Sequence, residues 1–209
     1  MKSFLLEAKR QILEIFGPLW QWATNYTALT LGHKWLAIWL ISFLAWVMET
    51  VYCSGRSVGR SGLLLLPFCP LYGLTIGVID WLIGTPLEGG IMISKIQPGT
   101  KRFILYIILA ILIPTIAEFL TGLFFDGLLS VRLWYYAEQP FNLLGYVCLQ
   151  VSLLWGVMLT AFMLVAYPFV RKIVSLVPRK TANIIAVVTS ALVISNLAFF
   201  FIRIIPKIF

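Results

Sequence analysis

The chain has 209 residues, 61% apolar and 11% charged, and a net charge of +8. Soluble domains run at about 45–50% apolar and about 25% charged, so a soluble enzyme domain is excluded and an integral membrane protein is implied. The sixteen Lys and Arg lie between apolar blocks and form no dense basic run or recognition module, which argues against nucleic acid as a partner and makes them topology signals.

Residues 1–32 read as an N-terminal amphipathic segment lying in the membrane interface. Leu5, Ala8, Ile12, Ile15, Phe16 and Leu19 recur at helical spacing on one side, with Glu7, Arg10, Gln11 and Glu14 largely opposite, until Gly17-Pro18 interrupts the pattern. The same charges break any apolar signal-peptide core, so the segment is expected to stay attached. It reads as a surface anchor or as a docking element for a partner subunit.

Residues 33–209 read as a transmembrane domain, an all-α polytopic bundle of five spans at about 35–53, 63–84, 103–125, 143–167 and 183–204. The first follows from the uncharged run between Lys34 and Glu49, extended through Val51 and Tyr52. The second contains Pro67 and Pro70, which remove two backbone donors, and Gly73, which permits close approach of another helix. A broken or kinked helix start is therefore expected there, of the kind that lines cavities in transporters or simply bends a structural helix. The third carries Pro114 and Glu118; the fourth lies within the uncharged stretch from Gln139 to Val170; the fifth is the β-branched and aliphatic run from Thr181 to Ile202.

With the N-terminus cytoplasmic, eleven Lys and Arg fall in inner segments and five in outer ones, which favours a cytoplasmic N-terminus and an extracytoplasmic C-terminus. Spans one and three then both run outward, so Glu49 and Glu118 approach the outer face together. Arg56 and Arg60, Tyr72, and the 124–142 connection with Trp134, Tyr135, Tyr136 and Asn142 lie on the same side. An intramembrane acid costs about 2.5–3.5 kcal/mol on insertion scales, so the two glutamates need either hydration at headgroup depth or a function. The candidate polar site is Glu49, Arg60, Tyr72, Glu118, Trp134, Tyr136 and Asn142, with Arg56 or Arg60 as a counter-charge; it would take a cation or the polar group of a substrate. Asp80 is placed at the cytoplasmic interface, and His33 at the interface beside Lys34. Neither completes a metal site, and no metal or other cofactor is assigned. Cys53, Cys69 and Cys148 are too scattered for a disulfide framework and read as structural thiols.

Five motifs in order carry a resemblance: Trp46-Val47-Met48-Glu49, Pro67-Phe68-Cys69-Pro70-Leu71-Tyr72-Gly73, Glu118-Phe119-Leu120-Thr121-Gly122, Trp134-Tyr135-Tyr136 with Asn142-Leu143-Leu144-Gly145, and Trp155-Gly156. Over about residues 35–170 the chain resembles the bacterial type IV ABC-transporter permease family. Tyr135 and Ala137 stand where that family has Asp and Ser, and Leu66 stands where it has the Gly before the first Pro. The resemblance implies a permease subunit in the bacterial plasma membrane. The sequence has no GxxxxGK[ST] phosphate loop, so ATP would be hydrolysed by a separate cytoplasmic ATPase subunit. The basic segments 85–102 and 168–183 would dock that partner or bind anionic membrane lipids. Two other classes fit the residues. One is an intramembrane enzyme on a lipid or isoprenoid-linked substrate, with Glu49 or Glu118 as general base and Arg60 on a phosphate. The other is a non-catalytic scaffold or accessory subunit.

Overall fold

The computed structural model describes residues 17–25, 28–54, 66–130 and 132–208. The expected amphipathic pattern of residues 5–16 lies outside them. Residues 17–24 form a short helix, α1, with Pro18 in its first turn, where a missing backbone N–H costs nothing. Six further helices follow among the described residues: α2 (Leu31–Ser54), α3 (Pro70–Leu82), α4 (Thr100–Leu129), the pair α5 (Leu149–Ala161) and α6 (Tyr167–Ser175), and α7 (Arg179–Ile208). A π-helical turn, Phe162–Ala166, joins α5 to α6 into one continuous rod. That turn ends two residues before Pro168, which lacks the N–H to continue a regular ladder.

The architecture is the all-α membrane bundle read from the sequence, with one correction. Among the described residues four helical segments, 31–51, 100–128, 149–175 and 179–199, are long and apolar enough to cross a bilayer, where five spans were expected. Of the described part of the second span, expected over 63–84, the thirteen residues Pro70–Leu82 are helical. At 1.5 Å per residue these give about 20 Å, against a hydrocarbon core of about 30 Å. Pro70 opens the helix, since at the first position its missing N–H leaves no helical hydrogen bond unmade. The fourth span, expected at 143–167, starts later and ends later because its first residues form a small hairpin. Asn142–Leu143 pairs antiparallel with Val147–Cys148, and a turn with positive φ at Leu144 and Gly145 closes it.

Helix directions follow from the contacts. α2 and α7 run parallel, since Gly32 approaches Asn183 and the indole N–H of Trp39 donates to Ser190 Oγ at 2.9 Å. α3 runs antiparallel to α2: its first residues lie beside Ser42 and Gly77 beside Ile38. At one end of the bundle Tyr106 Oη donates to the carbonyl of Gly84 (3.2 Å), Arg171 pairs with Glu88, and the Lys172 ammonium donates to the Asn25 carbonyl. His33 was expected at the interface but is buried there. Its Nε2–H donates to the Val177 carbonyl at 2.8 Å, which leaves Nδ1 to accept from the Thr30 hydroxyl at 2.7 Å.

The buried core occupies this same half. Ala37 and Ile41 of α2, Ile76, Ile79 and Ile83 in and just after α3, Tyr106 and Ala110 of α4, and Leu159 to Val174 of the α5–α6 rod pack together. Outward faces are apolar as well, as lipid requires: Ile116 and Leu120 of α4 and Val187 of α7 are exposed.

Candidate functional site

The other half of the bundle is where α3 is missing. The backbone of residues 66–69 is not helical, and the Cys69 N–H donates to the carbonyl of Ser42, halfway along α2, at 2.9 Å. Gly73 sits so close to α2 that a Cβ would lie 2.1 Å from Ser42 Oγ and 2.2 Å from the Ile38 carbonyl. α3 is thus locked to the middle of α2 and fills only the half of the bundle beyond it. Around the level of its first residues, between the second halves of α2 and α4 and the first half of the α5–α6 rod, lies a cavity of about 510 Å³.

Five of the seven polar-site residues expected from the sequence line this cavity: Glu49, Tyr72, Glu118, Trp134 and Tyr136. Arg60, with Arg56, lies outside the described residues. Asn142 is not among the lining residues. It is exposed in the hairpin, where its amide donates to the Ala137 and Gln139 carbonyls (3.1 and 2.8 Å) and its oxygen accepts from the Gly145 N–H (3.1 Å). Its role there is to shape the turn.

Glu49 accepts two hydrogen bonds, from Tyr72 Oη at 2.7 Å and from Cys69 Sγ at 3.2 Å. Both donors come from the broken start of α3, so the Pro67–Gly73 motif delivers them to a carboxylate more than one helical turn above Ser42. Bonds to a charged acceptor contribute about 1.5–3 kcal/mol each in favourable cases, which offsets part of the cost of holding an acid at this depth. Glu118, from α4, is 8% exposed. Tyr136 Oη donates to its Oε1 at 3.1 Å, while its buried Oε2 receives no well-formed hydrogen bond, the Trp155 side chain standing beside the carboxylate as a weak second donor. Tyr136 is outside the helices; burial, followed by the adjacent Glu118 carboxylate, pushes its phenol above the usual tyrosine range and keeps it a donor.

The aromatic wall is fixed by contacts of its own. Trp134 donates its indole N–H to the Tyr146 carbonyl at 2.8 Å, and Tyr136 N–H donates to the Gly145 carbonyl, also at 2.8 Å. Gly145, at φ +73°, supplies the turn conformation that this pairing needs. Tyr72 meets Trp155 edge to face, with ring centroids 5.6 Å apart. Tyr135, between two cavity residues, turns outward instead and lies under the Arg132 guanidinium, which is paired with Asp126 (Nε to Oδ2, 3.0 Å). The remaining lining is chiefly apolar, with Leu44, Met48 and Phe162 among it. Among the described residues no Lys or Arg lines the cavity.

Sequence reasoning did not single out Cys69 or Trp155 as site residues. Both stand inside the quoted motifs, Cys69 between the two prolines and Trp155 before Gly156.

The family model described as "Putative ABC-transporter type IV" matches residues 36–201. No curated protein and no solved structure matches the chain.

Proposed function

From the chain's membership of the type IV ABC-transporter family, matched over residues 36–201, we propose that it is the membrane permease component of an ABC-type transporter. Its substrate site in this reading is the cavity beneath Glu49 and Glu118, and a separate cytoplasmic ATPase supplies the energy. The observation that carries the reading is the half-length α3. A bundle that only had to anchor or scaffold would gain by filling its interior, because interiors pack densely and an apolar void forfeits contacts on every wall. Here α3 begins at Pro70, midway along α2, and the cavity beside its start is lined with two acids and a set of hydrogen-bonded aromatic side chains.

The proposed orientation puts the carboxylate end extracytoplasmic. Lys34, Lys101, Arg102, Arg171, Lys172, Arg179 and Lys180 belong to the helix ends and turns at the opposite side, as cytoplasmic segments do. The cell membrane is the proposed location. The Arg171–Glu88 pair and the segment 83–99 between α3 and α4 form the surface available to the ATPase.

The test is a mild-detergent affinity purification of the tagged protein from its native membrane. A nucleotide-binding ATPase recovered in stoichiometric amount supports the reading. Its absence across several detergents overturns it in favour of a scaffold or a lipid-directed enzyme.

A further inference from the structure

The cavity's lining narrows the chemistry of what it accepts. Glu118 is more than nine-tenths buried, lines the cavity, and has one carboxylate oxygen that receives no well-formed hydrogen bond, with the Trp155 side chain beside the carboxylate as a weak second donor. A poorly bonded buried acceptor of this kind costs up to about 1–3 kcal/mol, more when charged, and a ligand that brings a positive charge or an N–H removes that cost. Glu49 adds a second carboxylate to the same space, already held by Tyr72 and Cys69. The described lining presents two acids and no basic side chain, a charge pattern that suits a cation.

The rest of the wall decides which kind of cation. A bare metal ion such as calcium asks for about 6–8 oxygen ligands, whereas this lining offers two carboxylates and a few hydroxyls amid apolar side chains. Aromatic rings, by contrast, attract organic ammonium groups through their negative faces. Four of them, Tyr72, Trp134, Tyr136 and Trp155, share the cavity with the acids, and Leu44, Met48 and Phe162 provide apolar surface for a hydrocarbon body. A volume of about 510 Å³ falls within the range of small-molecule sites, about 300–1,000 Å³.

We propose that the cavity binds an organic ammonium ion with an apolar body, its cationic head against the poorly bonded oxygen of Glu118 and among the rings of Tyr72, Trp134, Tyr136 and Trp155. This rests on reading the cavity as the substrate site and names its substrate class. The binding itself needs no ATPase.

The experiment is isothermal titration of the purified full-length protein with phenyltrimethylammonium and, separately, with its neutral isostere tert-butylbenzene. The native protein is expected to bind the ammonium at least ten-fold more tightly than the isostere. Glu118→Gln is expected to remove at least ten-fold of the ammonium affinity, and Glu118→Asp, which keeps the charge, to retain most of it. Thermal melts of both variants establish that they are folded. Equal affinity for cation and isostere, no binding of the cation, or unchanged cation binding by a folded Glu118→Gln protein would each overturn the proposal. If Glu118→Gln does not fold, the comparison of the two ligands on the native protein still decides. Cation binding without a recovered ATPase would refute the permease reading alone, and a recovered ATPase without cation binding would refute this one alone.

Discussion

Gly73→Ala tests whether the close seat of α3 on α2 determines the shape of the bundle. The new Cβ would lie 2.1 Å from Ser42 Oγ and 2.2 Å from the Ile38 carbonyl oxygen, where real contacts almost never fall under 3.0 Å. The hydroxyl could rotate away, but the carbonyl belongs to α2's backbone, so α3 must retreat by nearly an ångström. Overpacking of this kind costs about 1–3 kcal/mol. The retreat also stretches Cys69 N–H to Ser42 O, now 2.9 Å, and Tyr72 Oη to Glu49, now 2.7 Å, at about 1 kcal/mol or more each. Alanine's better helix propensity returns about 1 kcal/mol. The net loss is about 2–4 kcal/mol, or roughly 5–15 °C in melting temperature for a chain of this size. The assay is a thermal melt in detergent followed by tryptophan fluorescence, with Gly127→Ala as control because a Cβ there meets nothing within 4 Å. The control should melt with or slightly above the native protein. If Gly73→Ala melted there too, the locked half-helix would not be what holds the cavity open.

Three further outcomes can be checked in the same preparation. Trp39→Phe keeps most of a ring that is 5% exposed but deletes its N–H to Ser190 Oγ, so α2 and α7 should lose about 1 kcal/mol, seen as a melting drop of a few degrees. His33→Ala leaves the Val177 carbonyl without its donor and a small void at the α2–α6 junction. It should cost about 2 kcal/mol, and amide hydrogen exchange should rise around residues 30–34 and 174–178 before the rest of the bundle responds. For Tyr136 the folded phenol titrates above the unfolded one, so its stabilisation is complete at neutral pH and is lost as pH rises past about 10. Melting temperature should therefore fall above that pH, and less steeply in Tyr136→Phe; identical slopes would mean that the phenol is not held neutral by its surroundings.

Most of the long helices were legible because uncharged runs of bilayer length have no other stable use in an apolar chain. The shared level of Glu49 and Glu118 was legible too, since two helices with one helix between them run the same way. What hydropathy does not contain is where a helix begins inside an uncharged run. Residues 63–69 are as apolar as 70–82, and only the Pro67–Pro70 pair marks the change; it signals a broken helix start without saying that Pro70 is the first helical residue. The same limit displaced the fourth span, because Asn142, Leu144 and Gly145 form a turn that apolar neighbours conceal. Asn142 was grouped with the acids by side of the membrane, but a short amide beside a positive-φ turn has nearby backbone to bond, and it does. The burial of His33 was hidden for a related reason: a lone imidazole next to a lysine gives no sign that a carbonyl 144 residues away will accept its hydrogen bond.

The position of the buried core ties these observations to the cavity. Its members lie in the first halves of α2 and α4, in and just after α3, and in the later part of the α5–α6 rod, which is the half of the bundle opposite the carboxylates. Among the described residues the deepest packing lies at the basic end, through Ile79, Ile83 and Tyr106, while the carboxylate end combines aromatic pairs such as Phe119 with Tyr146 and polar contacts such as Tyr72 to Glu49 and Tyr136 to Glu118. Polar contacts of that kind contribute about 1.5–3 kcal/mol each and can be exchanged for contacts to a ligand, whereas core packing cannot. Conformational change on ligand binding should accordingly be confined to the ends of α2 and α4, the start of α3 and the 132–148 connection. The half-length helix thus has two effects at once: it opens the site, and it leaves the elements around that site less tightly packed than the half that would face an ATPase.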